Sequence, residues 1–383
     1  MIYLDNAATT GKKPPQVIRA VERALQLYSA NPGRGGHAAS VRAGEMVYET
    51  RKKVAEFFAA PGEDRVVFTS GCTAALNMAL KGNLKKGDHC ILSSLEHNAV
   101  TRPAYALQKM GVEVEVAEVI FGDSEATLRA FEHLLRPNTR LIACTHSSNV
   151  TGEVLPVAKL GALCHKNNII FVVDAAQTAG ILPINMQQMQ IDYLCIAPHK
   201  GLYAPMGVGV LIARQPPPFT ILEGGTGVAS AMPTQPLELP ERLEPGTVNL
   251  PGIAGVGAGL GYVQQVGPER LYSHELKLLQ QLYAGLSQMG GVQLYTPPPT
   301  AGFYTPVLSF NLRGKNSNDV AAALNNAGIC VRGGLHCAPS AHKRLGTLEV
   351  GTVRVSPAGF NTAREVEQLL FAVKRLAAGG RRV

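Results

Sequence analysis

This 383-residue sequence lacks several features that mark particular classes of protein. It has no tryptophan, only 17% charged residues and no run of five like charges, and its 36 Lys and Arg exceed its 28 Asp and Glu by eight. Such a mild, dispersed excess favours acidic substrates weakly and forms no basic patch of the kind that binds nucleic acid. With 46% apolar residues, the composition is that of a globular enzyme, and we expect no nucleic-acid partner.

Disulfide and export signals are also missing. The seven cysteines are an odd number and contain no CxxC pair, which is unlike a secreted disulfide scaffold. The N-terminus, MIYLDNAATT, has neither the basic start nor the apolar stretch of a signal peptide. These observations predict a reducing, cytoplasmic compartment.

No apolar run has the form of a membrane span. Residues 246–267 carry no charge, but Gly, Asn, Pro and Gln interrupt them repeatedly. This pattern predicts a buried helix that packs through small residues. We therefore expect no membrane association.

Short β-rich runs alternate with helical stretches from about residue 60 to residue 215. The runs are RVVFTS, HCILSS, VEVEVAEVI, TRLIACTH, IIFVVDAA, DYLCIA and GVGVLIA. Several are apolar on both faces, as parallel strands covered by helices are. The pattern predicts a doubly wound α/β domain, whose ligands bind beyond the carboxyl ends of the strands.

The rest of the chain predicts a second, smaller domain. Residues 215–245 are rich in proline and turn residues and indicate an exposed excursion or a hairpin. A helical stretch at about 254–290, the strand-like YTPVLSFNL, GICVRG and GTVRVS, and a helix at about 362–377 then suit an α+β domain. We predict a large domain over 15–255 with a mostly parallel mixed sheet, and a small one from 1–14 and 256–383.

Polar residues follow four of the predicted strands. Thr69–Thr73 (TSGCT) is a glycine turn that opens a helix, and it is either a phosphate cradle or an ordinary capped turn. Asp174 leaves a buried strand and either faces a cation or caps a helix. Lys200 and His97 each follow a strand, and alone each has an ordinary structural interpretation. Together the four groups are what pyridoxal phosphate needs.

Cys337 stands in the unusual stretch RGGLHCAP. It is either a reactive thiol, since the glycines free the loop and neighbouring cations favour the thiolate, or a buried small hydrophobe. His336, Cys337 and His342 are metal-ligand types, but their irregular spacing and the lack of a fourth ligand argue against a metal site. We expect no metal.

The motifs in their order resemble one enzyme family. They are YLDNAATT, TSGCTAALN, SLEHN, HSSNVTGE, VVDAAQ, APHKG, EPGTVNLPG, VRGGLHCAP and VRVSPAGFNT, which together extend from the N-terminus to the final helix. The sequence resembles the class V aminotransferase-like, fold-type I pyridoxal-phosphate enzymes. Within them it is similar to the cysteine desulfurases, in the branch of sulfur-mobilisation desulfurases and selenocysteine lyases. It departs from many relatives at Ala197 and Leu335.

The resemblance implies a role for each site residue. Lys200 would bond to the cofactor aldehyde, Asp174 would pair with the pyridine nitrogen, and His97 would stack on the ring. The remaining cofactor-binding residues would be Asn149 and Gln177 at the ring hydroxyl, Cys72, Thr73 and His199 around the phosphate, and Thr247 at the phosphate of a partner subunit in a homodimer. The substrate would be bound by Arg354 at its α-carboxylate, helped by Arg332, Arg34 and Asn149.

The resemblance also implies a reaction. Lys200 removes the Cα proton of L-cysteine, Cys337 attacks the substrate sulfur, and the products are alanine and a persulfide on Cys337. His97 manages protons of the thiols, and the sulfur passes to an acceptor that the sequence does not identify. Sulfur mobilisation for iron–sulfur clusters, for thiolated RNA or for selenium metabolism all fit.

Three other functions stay open. The first is a different pyridoxal-phosphate transaminase, epimerase or lyase in which Cys337 is idle, or a selenocysteine lyase. The second is a non-catalytic sulfur-delivery scaffold, against which the presence of Lys200, Asp174 and His97 argues. The third is a nucleotide-binding Rossmann enzyme, which lacks support because no GxGxxG follows the first strand.

Overall fold

The computed structural model describes residues 1–32 and 35–378, an α/β chain with one large and two small sheets. Its strands are β1 (Ile2–Tyr3), β2 (Val66–Thr69), β3 (His89–Ser93), β4 (Glu113–Ala117), β5 (Thr139–Thr145), β6 (Ile170–Asp174), β7 (Tyr193–Ile196), β8 (Gly209–Ala213), β9 (Val292–Leu294), β10 (Leu308–Leu312), β11 (Ile329–Cys330) and β12 (Val353–Val355). Its helices are α1 (Pro15–Leu27), α2 (Ala38–Phe58), α3 (Cys72–Lys81), α4 (Asn98–Gln108), α5 (Ser124–His133), α6 (Val157–Lys166), α7 (Leu250–Val266), α8 (Pro268–Ser287), α9 (Ser317–Asn326), α10 (Pro339–Leu345) and α11 (Ala363–Ala378).

The large sheet has the strand order β2-β8-β7-β6-β5-β3-β4. Every pair from β7 to β4 is parallel, whereas β8 runs antiparallel to both of its neighbours. All seven strands predicted between residues 60 and 215 are present, and the sheet is mostly parallel and mixed, as predicted. β8 is reversed because the chain returns from β7 through a loop without a crossover helix.

Helices cover both faces of this sheet, which explains the unbroken apolar runs. Ile91 and Leu92, adjacent in β3, point to opposite faces and are both fully buried. Ile91 packs in a core cluster with Phe58 and Phe171, and Leu92 packs in the opposite cluster with Leu76. Each such side chain contributes about 1.5–3 kcal/mol of burial free energy, so the strands are fixed from both sides.

The two small sheets involve the C-terminal part of the chain. The order β12-β10-β9 is antiparallel throughout, and the N-terminal β1 pairs in parallel with β11. A third core cluster joins Leu4 to Phe310, Leu279 of α8 and Leu369 of α11. The N-terminus therefore packs with the C-terminal elements, while the domain boundaries at residues 14 and 255 stay a prediction.

The helical stretch predicted at 254–290 is two helices. Gly267 adopts a positive φ of 93° and Pro268 opens α8, so the chain turns between them. The exposed excursion at 215–245 contains turns and a short 3₁₀ segment but no strand, so the hairpin alternative was wrong for these residues. Its prolines remove the backbone donors that a hairpin ladder needs. None of the helices described is long and apolar enough to cross a membrane.

Gly259 allows α7 to approach the loop that follows Lys200. A Cβ at this position would lie 2.0 Å from the Leu202 carbonyl oxygen, whereas a Cβ at Gly261 in the same helix would meet nothing within 4 Å. We expect Gly259→Ala to lower the free energy of unfolding by about 1–3 kcal/mol through overpacking. Gly261→Ala, the matched control, should raise it by about 0.5–1 kcal/mol because alanine restricts the unfolded chain. Urea unfolding checks both, and equal effects of the two substitutions would contradict the close approach.

Candidate active site

The carboxyl ends of five strands bring the predicted residues to one edge of the large sheet. Cys72 follows β2, Lys200 follows β7, Asp174 ends β6, Asn149 follows β5 and His97 follows β3. These five strands run in the same direction, with the reversed β8 between β2 and β7, so residues more than a hundred positions apart share one crevice. The structure thus places these five residues at strand ends, and a site formed by them stays a prediction.

Lys200 lies at the centre of this group. Burial lowers the pKa of its ammonium group, and the nearby Asp174 carboxylate opposes that effect. Within the part of the chain that is described, no ion pair engages the ammonium group. Its nitrogen is therefore available to a ligand.

The Asp174 carboxylate has two donors. Its Oδ1 accepts from the Ala176 amide at 2.9 Å and lies 3.7 Å from the Cys72 thiol. The Cys72 side chain thus faces this carboxylate, and burial raises the pKa of its thiol well above the ordinary value. The backbone of Cys72 lies in the first turn of α3, and its contact with a phosphate stays a prediction.

The N-terminus of α3 can bind an anion. Gly71 is its N-cap and has no side chain to cap the first amides, and Thr73 is exposed on the first turn. Gly209 packs closely beneath this turn, because a Cβ there would lie 2.3 Å from the Gly71 carbonyl carbon. His199 has a buried Nδ1 without a hydrogen-bond partner, and burial lowers the pKa of its ring to about 4. Uncapped amides and a neutral imidazole with a free nitrogen are suited to a phosphate ester.

His97 is held by its own turn and by a buried neighbour. Its Nδ1 accepts from the Ala99 amide at 3.0 Å, and burial lowers the pKa of its ring. The adjacent Glu96 is fully buried and accepts from the Ser93 hydroxyl and, at 2.7 Å, from the Thr145 amide. Glu96 therefore ties the end of β3 to the end of β5. Sequence reasoning missed it, although a glutamate directly after an apolar strand was a signal.

The Cys337 loop is anchored. His336 and Cys337 both have positive φ, 51° and 57°, which is a strained conformation for residues other than glycine. Their carbonyls accept from Asn149 Nδ2 and from the Asn98 amide, each at 2.7 Å. These contacts anchor the backbone of the cysteine, and the freedom of the loop stays a prediction. The thiol itself is exposed and lies 3.8 Å from Arg332 Nη2.

Two buried histidines support this loop. His336 Nε2 lies 3.0 Å from the Thr352 carbonyl, and His342 Nδ1 lies 2.9 Å from the Thr347 hydroxyl. Burial lowers the pKa of both rings, to about 2 for His336 and to about 4 for His342. Both imidazoles are therefore neutral structural groups of the loop.

Arg354 is almost completely buried beside the site, at 1% exposure. Its Nη2 contacts Asp5 at 2.6 Å, its Nη1 donates to the Asn149 carbonyl at 3.0 Å, and its Nε has no partner. Gln177 donates to the Ala7 carbonyl at 3.1 Å. The N-terminal segment, whose role in the site the sequence did not indicate, thus reaches two predicted site residues.

Two further predicted residues stand apart. Thr247 is exposed after the 215–245 excursion, and no hydrogen bond in the described ranges joins it to the residues above. Arg34 lies outside the described residues. The assigned roles of all the site residues stay predictions.

The chain is similar to known proteins along nearly its whole length. Residues 2–369 match the aminotransferase class-V family. A probable cysteine desulfurase of Methanothermobacter thermautotrophicus is 34% identical over 388 residues, which cover 99% of this chain and 95% of the relative. One of Mycolicibacterium paratuberculosis is 37% identical over 398 residues, covering 100% of this chain but 56% of that longer relative.

Solved structures show the same likeness. The apo structure of the cysteine desulfurase from Thermococcus onnurineus NA1 superimposes with a TM-score of 0.89 at 34% identity, covering 99% of this chain and 95% of that one. The chain therefore belongs to the aminotransferase class-V family. These relatives are named cysteine desulfurase or probable cysteine desulfurase, and the predicted family and fold are confirmed.

Burial raises the pKa of Glu96 from 4.5 to about 8. Between these values the folded protein binds a proton that the unfolded chain lacks, so this carboxyl reduces stability progressively as pH rises. Glutamine keeps the acceptor oxygen but cannot ionise. We therefore expect Glu96→Gln to gain stability relative to wild type between pH 5 and pH 8, by up to about 1 kcal/mol per pH unit.

Urea unfolding at pH 5, 6.5 and 8 measures this gain. The control is Glu132→Gln, at an exposed position of α5, which should follow the wild-type pH dependence. A difference between Glu96→Gln and wild type that does not change with pH would contradict the assignment.

Proposed function

We propose that this protein is a pyridoxal-phosphate-dependent cysteine desulfurase. It takes sulfur from L-cysteine, releases L-alanine and holds the sulfur as a persulfide on Cys337. The observation that carries the proposal is the exposed Cys337 thiol, whose backbone is tied to the Asn98 and Asn149 turns. Those turns flank the crevice that holds Lys200 and Asp174. The names of its relatives support the same activity.

The residues fit pyridoxal phosphate. A buried nitrogen without a partner costs about 1–3 kcal/mol, and a phosphate accepting from His199 Nδ1 would remove that cost. The uncapped α3 amides would bind the same phosphate, the Asp174 carboxylate would pair with the pyridine nitrogen, and Lys200 Nζ would bond to the aldehyde carbon. When bound, the cofactor supplies an electron-withdrawing ring that stabilises negative charge at the substrate Cα.

Two groups of the chain act on the substrate amino acid before the sulfur step, and two more position one of them. Lys200 takes the Cα proton, and the burial that lowers its pKa raises the fraction of neutral amine available as a base. Arg354 binds the α-carboxylate, for which its unpartnered Nε is the free donor. Asp5 and the Asn149 carbonyl hold the guanidinium plane in place during binding.

The sulfur step needs no external oxidant. The Cys337 sulfur attacks the substrate sulfur, so that an S–S bond forms as the C–S bond of the substrate breaks. The electron pair of the broken bond stays with the substrate carbon, which takes up a proton and becomes the methyl group of alanine. Arg332 Nη2 lies 3.8 Å from this sulfur, so the guanidinium group directly faces the nucleophile. His97 can supply or take up protons at this side of the crevice.

We infer that the protein forms a homodimer and works in a reducing compartment. Thr247 is exposed, as a residue that reaches the phosphate of a partner subunit has to be, and exposed apolar side chains of the same region include Met232 and Leu237. All seven cysteines are free, which suits a protein that works with a thiol and passes its sulfur to a thiol acceptor. The sulfur acceptor would reach Cys337 where the thiol is exposed.

Cys337→Ala should abolish alanine formation from L-cysteine in the presence of a reducing thiol, because the attacking sulfur is removed. We expect the rate to fall by at least about a hundredfold while cofactor absorbance is retained. Cys330→Ala, the control, removes a half-buried thiol of β11 and should leave the rate unchanged. Mass spectrometry should find the persulfide on Cys337.

Equal alanine formation by wild type and Cys337→Ala would refute the role of this cysteine. Selenocysteine is measured alongside cysteine. Turnover of selenocysteine alone would identify the protein as a selenocysteine lyase.

The two arginines of the site should have separable effects. Arg354→Gln removes the donor for the substrate carboxylate, and we expect KM for cysteine to rise by at least about 30-fold, equivalent to about 2 kcal/mol. Arg332→Gln should lower kcat more than it raises KM, because this side chain contacts the nucleophile. Steady-state kinetics of both variants checks the assignment. An unchanged KM in Arg354→Gln would move the carboxylate site elsewhere.

A further inference from the structure

The N-terminal segment Thr9–Lys13 converges on the carbonyl oxygen of His199, the residue before Lys200. Four donors reach this one atom: the Thr9 hydroxyl at 3.2 Å, the Thr10 amide at 3.1 Å, the Thr10 hydroxyl at 3.0 Å and the Lys13 ammonium group at 3.0 Å. A carbonyl oxygen has two lone pairs, so this concentration of donors exceeds what simple satisfaction of the group requires. The contact joins segments about 190 residues apart in the chain.

The rest of the Lys200 turn is closed by its own backbone. The Lys200 amide donates to the Ala197 carbonyl at 3.1 Å, the Tyr203 amide to the Lys200 carbonyl at 3.0 Å, and the Ala204 amide to the Pro198 carbonyl at 3.0 Å. The His199 carbonyl is held instead by the N-terminal segment. That segment therefore fixes the peptide group between the His199 ring and the Lys200 side chain.

Lys13 contributes a charge as well as a hydrogen bond. Its side chain is half-buried, and burial lowers the pKa of the ammonium group to about 8. Its partners are neutral oxygens, the Thr10 hydroxyl at 2.7 Å and the His199 carbonyl, and no carboxylate pairs with it in residues 1–32 and 35–378. Burying a cation without a counter-ion is costly. The proposed phosphate, bound at the adjacent His199 ring, would supply the missing negative charge.

We propose that Lys13 is a positioning residue of the cofactor site, which with the hydroxyls of Thr9 and Thr10 clamps the His199 carbonyl. The clamp holds the His199 ring toward the phosphate and the Lys200 amine toward the aldehyde. The inference rests on the proposed function, since it assigns Lys13 to the site of that cofactor. It adds a residue outside the strand-end group to that site.

The test is the affinity for pyridoxal phosphate, measured by the visible absorbance of the bound cofactor during titration of the cofactor-depleted full-length protein. Lys13→Met should weaken binding by about tenfold, the factor that loss of one hydrogen bond to a charged group gives. Lys12→Met is the matched control, because Lys12 is the exposed neighbour, carries the same charge and lies over the Phe360 ring at 4.9 Å. It should bind as wild type does, and Lys13→Arg should recover most of the affinity.

The melting temperature without cofactor separates positioning from plain stability. We expect Lys13→Met to bind the cofactor more weakly than Lys12→Met does. Without cofactor, the melting temperature of Lys13→Met should be close to that of wild type. A lower melting temperature with wild-type affinity would overturn it, as would equal affinities of the two methionine variants. Should Lys13→Met not fold, Lys13→Gln is measured with an expected loss of about threefold, since it keeps a donor without the charge.

Failure of the proposed function gives a different result. Wild type would then develop no visible band with pyridoxal phosphate, or the band would persist in Lys200→Ala. A wild-type band that depends on Lys200, together with unchanged binding by Lys13→Met, would overturn the Lys13 inference alone.

Discussion

The structure depends on the burial of a lysine ammonium group that no carboxylate of the described chain neutralises directly. Lys200 lies beyond the end of β7, next to the buried Asp174, and burial lowers the pKa of its ammonium group while this carboxylate opposes that effect. A buried charge is costly unless an opposite charge pairs with it and hydrogen bonds satisfy it. The proposed cofactor, which carries an aldehyde and a phosphate, would meet this cost at one place.

The topology of the sheet brings the site residues together. The strands β2, β3, β5, β6 and β7 run in one direction and end at one edge of the sheet. They therefore place the N-terminus of α3, a histidine, an amide, a carboxylate and the lysine around one crevice. The reversed β8 leaves the connection after β7 free to form the Lys200 turn. Gly259 of α7 then lets a helix press against that turn at Leu202, which limits its movement.

Segments from the two ends of the chain complete the crevice. The N-terminal segment contacts Arg354 through Asp5, Gln177 through the Ala7 carbonyl and His199 through Lys13. The Cys337 loop is fastened to the turns after β3 and β5, so the thiol is presented by a strained and anchored backbone. An exposed thiol on a fixed loop combines access for an acceptor with a defined position for attack.

The mostly parallel sheet is predictable from the amino-acid sequence, because strands buried on both faces are apolar along most of their length, as in HCILS and IFVVD. The same pattern places Lys200, Asp174, His97 and Cys72 at strand ends, because a polar residue that follows a buried apolar strand lies beyond the end of that strand. The contacts of Asp5, Lys13 and Glu96 emerge only in the folded chain, because they join segments far apart in the sequence. The anchoring of the Cys337 loop likewise depends on distant residues. Local glycines permit many conformations, and the long-range hydrogen bonds from Asn98 and Asn149 select one.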